Sequence, residues 1–292
     1  VAVEAMKESF DKQEALSEAM HNKIMDLFKK YLLVGGLPKA VETFVESRNV
    51  VEFRSIQREA HELYGVDASK YEAEHNKRLK IRRIFDMIPS NLENKKKRVV
   101  IADIEDKKWK RSNDYLDEFD YLISAGATLE VKAISTPTYP LVEHSGKNLL
   151  KLYLNDVGIL SGIFYRNNIK AVMSDMKSIN LGSVYETVVA QELKAHGYDL
   201  YYYDNKKNGE VDFLIDDADN LSNIPIEVKS GKDYTVHSAL DRFISNEDYN
   251  VKRAYVLSNE REVFAEEGII YIPIYYIMFF RNTSNVVEEF LD

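Results

Sequence analysis

Asp212, Glu227 and Lys229 are the residues of this chain whose types and spacing could do chemistry. Asp212 lies between Val211 and Phe213, where a half-buried strand would place something apolar. Glu227 and Lys229 alternate with Ile226 and Val228, so the strand period of two puts both charged groups on one face. Such a face is costly to build by accident, because a buried charge without a partner carries a large desolvation penalty. Asp and Glu are hard-oxygen ligands for magnesium or manganese, and a lysine beside them can orient a water or stabilise charge on phosphorus. A Glu-x-Lys pair standing alone is usually a solvated pair on an edge strand. The acid 15 residues upstream and the apolar residues around each charge turn the reading toward a site.

An acid, a gap of that length and Glu-x-Lys resemble the PD-(D/E)XK nuclease superfamily. The resemblance implies a further acid on the first core helix that completes the metal shell, and Glu186 matches that position. The helix itself reads from residues: apolar positions 185, 188, 189 and 193 follow the spacing of a buried stripe, and Gly182-Ser183 offers a cap. Glu186 lies near the edge of this stripe, and an exposed helix glutamate is the alternative role for it. Glu192 reads as that.

With 292 residues, 45% apolar and 11% aromatic, the chain has material for two or three ordered domains. It has no cysteine, which excludes disulfides, thiolate zinc sites and cysteine nucleophiles and suits a reducing cytoplasm. The longest apolar run, 268–280, is too short to span a bilayer and holds a proline, so no membrane role is expected. It reads as a buried strand followed by the start of a helix. The chain opens on Val1 inside a helical pattern, and we read it as cut from a longer one. No G-x-x-x-x-G-K-[ST] loop occurs; residues 35–39 and 145–148 lack its spacing and its hydroxyl residue.

Three regions follow from the elements, with an α/β, multi-domain α+β fold class. Residues 1–64 are helical, broken at Gly35-Gly36 and restarted at Pro38. Residues 65–147 suggest a winged helix: one helix over 79–88 ending at Pro89, a second over 114–123, and a wing hairpin through 129–134 and 139–142. Between Lys77 and Arg111 stand 13 Lys and Arg against five acids, a balance of +8 within a chain of −9. That asymmetry suggests nucleic acid met through Lys95, Lys96, Lys97, Arg98, Lys107, Lys108, Lys110 and Arg111, on loops expected to be fully exposed. The second helix carries Asp114, Asp117, Glu118 and Asp120, so contact would be to the phosphate backbone and not to bases. Residues 148–292 alternate strands and helices and hold the acid constellation.

The motifs YLLVGGLPKAV, IFDMIPSNL, LKLYLNDVGIL, GSVYETVVAQEL, GEVDFLI and PIEVKSG occur in that order. Together they resemble the C-terminal part of bacterial and archaeal AAA-type ATPases that end in a widespread domain of unknown function. The likeness covers nearly the whole chain. It implies an N-terminal P-loop module that binds ATP outside this chain, a helical segment, a winged-helix-like middle and a restriction-endonuclease-like end. Glu186, Asp212, Glu227 and Lys229 match the nuclease-like site, which implies magnesium or manganese. Gly35, Gly36 and Pro38 match the Gly-Gly-x-Pro segment at the ATPase boundary, and Asp156 the acid of Lys-Leu-Tyr-x-x-Asp. The function expected is a metal-dependent nuclease-like module coupled to an ATPase. A nuclease fold kept as a protein-interaction module is the rival, favoured by the acidic balance and 19 tyrosines. A DNA-binding adaptor resting on the basic middle alone is the third. Without a phosphate loop, the chain is expected to turn over no ATP, which a phosphate-release assay measures directly.

Overall fold

The structure is a computed structural model that describes residues 2–105, 109–174, 176 and 179–282. Helices α1 (Ala2–Lys12), α2 (Glu18–Val34), α3 (Pro38–Ser47), α4 (Val50–Ser69) and α5 (His75–Glu93) come first. Pro38 sits in the first turn of α3, where its missing N–H has no helical partner to lose. Asn49 caps α4, its side-chain oxygen accepting from the N–H groups of Val51 and Glu52. The helix expected to stop at Pro89 runs on to Glu93. A proline there forfeits one backbone bond, but Phe85, Ile88 and Leu92 are all buried, and that packing carries α5 across the gap.

After α6 (Ile101–Ile104) and α7 (Leu116–Ser124), the chain enters β1 (Thr128–Ile134). The expected wing hairpin does not form. Leu141–His144 is a 3-10 turn following a cis Tyr139-Pro140 bond, and β1 pairs in parallel with β3 (Tyr201–Asn205), Lys132 opposite Tyr201. Leu141 is fully buried and its N–H donates to the Asp216 carboxylate at 3.0 Å, so a side chain holds this segment where a strand partner was expected.

The remaining elements are β2 (Ser145–Leu154), α8 (Val157–Tyr165), α9 (Lys170–Met173), α10 (Gly182–Ala195), β4 (Gly209–Asp217), β5 (Ser222–Val228), α11 (Ser238–Ile244), β6 (Ala254–Ser258), β7 (Phe264–Glu266) and β8 (Ile269–Pro273). The strands form a mixed eight-stranded sheet of order β2-β1-β3-β4-β5-β6-β8-β7. The run 268–280 is β8 followed by the 3-10 helix Ile274–Phe279, as its composition suggests. β5 is buried along its whole length although it contains Pro225. Its parallel ladder with β6 begins at Ile226, just past the residue that has no N–H to give. Among the described residues no helix is long and apolar enough to cross a membrane.

Contacts divide the chain into two units: residues 1–22, 132–146 and 192–292 form the first, 23–131 and 147–191 the second. The boundaries expected at 64/65 and 147/148 fall inside α4 and β2. In the first unit, Tyr201, Tyr203, Val211 and Leu214 pack with Leu240 and Phe243 of α11. In the second, Asp156 ties the Gly35-Gly36 turn to the start of α8. One carboxylate oxygen accepts from Gly36 N–H at 2.7 Å and the other from Ile159 N–H at 3.0 Å. Gly35 has φ +71°, and a Cβ there would lie 2.2 Å from Asp156 Oδ1.

Gly126, at φ +68°, has nothing within 4 Å of its would-be Cβ and supplies the comparison. Gly126→Ala is expected to lower the unfolding free energy by about 1–2 kcal/mol from left-handed strain alone. Gly35→Ala should cost about 2–4 kcal/mol, since overpacking adds to the strain. Urea denaturation of both variants checks this; equal losses would mean that the Asp156 contact does not constrain the turn.

Candidate functional site

β4 and β5 are antiparallel neighbours, with Phe213 opposite Ile226 and Leu214 opposite Pro225. One more step of that register sets Asp212 opposite Glu227, and residues so opposed present their side chains on a common face. On its other side β4 is irregular. Tyr201 faces Leu214 while Tyr203 faces Val211, so two residues of β4, Asp212 and Phe213, oppose the single Tyr202. This is a β-bulge, a device that re-aims a side chain.

The bulge gives Asp212 a backbone partner. Lys229 N–H donates to Leu257 O of β6 at 2.8 Å, and successive N–H groups point to opposite sides of a strand, so Val228 N–H faces β4. It donates to Asp212 Oδ2 at 2.8 Å, a side chain standing where a ladder carbonyl would. The Lys229 ammonium donates to Glu227 Oε1 at 2.8 Å, as the shared face of i and i+2 requires. Two carboxylates and one ammonium therefore gather on adjacent central strands. Magnesium and manganese take such a pair of hard oxygens together with waters and substrate phosphate oxygens. No group of three or more His, Cys, Asp or Glu that could share a metal ion occurs among the described residues.

Glu186 belongs to the second unit, whereas Asp212, Glu227 and Lys229 belong to the first. Just before α10, Asn180 Oδ1 accepts from Gly182 N–H at 2.9 Å; Ser183, expected to cap the helix, instead donates to Glu93. Tyr185, Val188, Val189 and Leu193 are buried as their spacing predicts, and Glu186 is buried with them. Its Oε1 accepts from the Lys97 ammonium at 2.5 Å and its Oε2 from the Tyr153 hydroxyl at 2.7 Å. Burial works to raise its pKa. The charges of Lys97 and fully buried Lys151, with the bonds from Lys97 and Tyr153, outweigh that and hold the carboxyl below the ordinary glutamate range.

The expectation that residues 95–98 are fully exposed is corrected in part. Lys95 and Lys96 are exposed; Lys97 and Arg98 are half-buried, Lys97 because buried Glu186 requires a counter-charge. Lys107 and Lys108 lie outside the described residues. Lys110 approaches Asp114 at 4.0 Å, and Arg111 is exposed while its backbone N–H is held by the same Asp114. Much of the remaining positive charge is answered nearby: Lys77 meets Asp117 at 2.6 Å, and Arg82 meets Glu62 at 2.8 Å and Asp86 at 3.0 Å. The acidity of α7 is thus partly local, since Asp117 faces a lysine of α5. Lys151 and Tyr153 were not anticipated as partners of Glu186, although a lysine inside the apolar run of β2 carries the same signature as Asp212.

Residues 25–169 match a family model described as a domain of unknown function (DUF8612), and residues 181–277 match one described as a domain of unknown function (DUF4143). No curated protein and no solved structure matches the chain.

Glu186→Gln should reveal how much the buried ion pair stabilises the second unit. Removing one partner of such a pair leaves buried positive charge and is expected to cost about 3–5 kcal/mol near neutral pH. Because the folded pKa is depressed, the contribution is complete above the ordinary glutamate value of 4.5 and is lost as pH falls through the lower folded value. The gap between wild type and variant in urea denaturation should therefore shrink in acid. Adding Lys97→Met to Glu186→Gln should recover part of the loss; no recovery would remove Lys97 as the partner that matters.

Proposed function

We propose that the C-terminal α/β part of this chain is a metal-dependent nuclease-like module that acts on nucleic acid and serves an AAA-type ATPase. The observation that carries this reading is the placement of Asp212 and Glu227 on the two adjacent central strands, Asp212 held by Val228 N–H and Glu227 by the Lys229 ammonium. Asp212 and Glu227 would hold magnesium or manganese, which when bound supplies Lewis-acid polarisation of a phosphoryl oxygen and a more acidic water. Lys229, on a flexible four-carbon stem, would turn from Glu227 toward charge that develops on the phosphoryl group. The bulge and the Val228 bond would keep Asp212 aimed while substrate comes and goes. This minimal set lies within the first unit. Glu186, engaged with Lys97 and Tyr153, is assigned to positioning α10.

The link to an ATPase is supported by the order of the six motifs and by the match of residues 181–277 to DUF4143, a domain found in AAA-ATPase-associated C-terminal regions. Lys95, Lys96, Lys110 and Arg111 would add contacts to backbone phosphates. A second reading has its own support: Asp212 and Glu227 are each already met by a donor of β5 or the residue after it, which suits an inert scaffold that binds a protein partner.

Cleavage assays with single- and double-stranded DNA and RNA, with magnesium or manganese, separate the two. The nuclease reading expects divalent-dependent cleavage that Asp212→Asn reduces to background with the circular dichroism spectrum unchanged. The scaffold reading expects no cleavage, and a slightly higher melting temperature for Asp212→Asn in metal-free buffer. Absence of cleavage of all four substrates by the wild-type chain would overturn the nuclease reading.

A further inference from the structure

A separate collection of charge lies wholly within the second unit and does not depend on the reading above. α4 presents Arg54, Gln57, Arg58 and His61 at the i, i+3, i+4, i+7 spacing of one helix face. α8 and the residue after it present Gly162 and Arg166 at helical spacing. These stripes line a cleft of about 440 Å³, within the size range of small-molecule sites. Three arginines and a histidine line it, and among the described residues no Asp or Glu does.

Arg54 is buried, at 6% exposure, yet its contacts are to neutral groups. Nη1 donates to the carbonyls of Leu33 at 3.0 Å and Gly158 at 3.2 Å, to Gln57 Oε1 at 2.8 Å and to Ser161 Oγ at 3.0 Å. Nε and Nη2 are buried and, among the described residues, donate to nothing. That edge is one of the guanidinium's two-donor forks, the geometry that grips a carboxylate or phosphate with parallel bonds. Burial lowers the Arg54 pKa to about 10, and no acid offsets it. His61 Nε2 is also buried with no partner among the described residues, and its ring stacks on Phe85 at 4.6 Å. Gly162 leaves the wall open to Arg54: a Cβ there would lie 3.1 Å from Gln57 Oε1 and 3.3 Å from Arg54 Nη1.

We propose that this cleft binds a phosphate monoester group of a small molecule, with Arg54 as its buried anchor and Arg58 and Arg166 as exposed clamps. Three guanidinium groups exceed what one carboxylate or one phosphodiester charge balances. A phosphate monoester carries close to two charges at neutral pH and three strong acceptor oxygens. Engaging the Nε–Nη2 fork requires the Arg54 guanidinium to turn toward the cleft, exchanging neutral acceptors for a charged one. Gln57 then keeps its donations to the Leu33 and Val34 carbonyls, and Ser161 its donations to those of Leu33 and Gly158.

The test is calorimetric titration of the full chain, at constant ionic strength, with inorganic phosphate, adenosine monophosphate and a hydroxyl-ended dinucleotide that carries only a diester. Phosphate and the monophosphate are expected to saturate one site with Kd on the order of 1 mM or tighter, and the dinucleotide to show no saturation. Arg58→Gln and Arg166→Gln alter exposed side chains and should each weaken phosphate about tenfold, the loss of one charge-assisted contact. Arg54→Lys, which keeps charge without the fork, should weaken it further. Failure of phosphate to saturate, equal binding of the diester, or indifference to both exposed variants would each overturn the proposal.

Discussion

An ionised side chain withdrawn from water has to be met by opposite charge or by well-aimed dipoles, and both units are organised around places where this happens. The outcomes differ in an instructive way. Glu186 is met by lysine charge and a hydroxyl, and its carboxyl ends below its ordinary range despite complete burial. Asp156 is met by backbone N–H groups of the Gly35-Gly36 turn and of α8, and burial still wins, leaving its pKa raised. Full charges at close range outweigh desolvation here; dipoles alone only soften it. Arg54 stands further along that scale, with a single nitrogen answered and by neutral acceptors only.

This ranking explains why particular elements sit where they do. Lys97 sends its ammonium onto buried Glu186 from a loop whose Lys95 and Lys96 stay exposed, and it adopts a positive φ of 50° there. The Gly35-Gly36 turn can close on Asp156 because Gly35 has no Cβ to occupy the space of its carboxylate. At the centre of the sheet the same rule operates between neighbours, where the Asp212 bulge and the Glu227–Lys229 pair satisfy their charges within β4, β5 and the residue that follows.

Local features were legible in the sequence wherever a short-range period or a stereochemical rule decides them. The strands that carry Asp212 and Glu227, the α10 stripe, the restart at Pro38 and the strand in 268–280 are of this kind. Features decided by distant partners were not. Lys97 and Glu186 stand 89 residues apart, so nothing near Lys97 distinguishes it from the exposed Lys95 and Lys96. Lys151, alone among apolar neighbours in β2, carried a usable signal but not the identity of the acid it serves. Pro89 and the segment 139–142 failed for a related reason: the buried face of α5 and the Asp216 carboxylate overrode the local preference.

The chain crosses between the two units four times, so each unit is assembled from separated stretches. Residues 181–277 carry β3 to β8, but not the part of β1 that lies against β3, nor Leu141, whose N–H occupies Asp216. Such a piece is not portable. A fusion, a transplant or a gene shuffling event that moved it alone would expose one long side of β3 and leave the half-buried Asp216 carboxylate without its donor, while closing each unit demands contacts between residues far apart along the chain. Inheritance of the sheet as a working object therefore favours keeping the whole interleaved segment together, and recombination within it should be rarer than at its flanks.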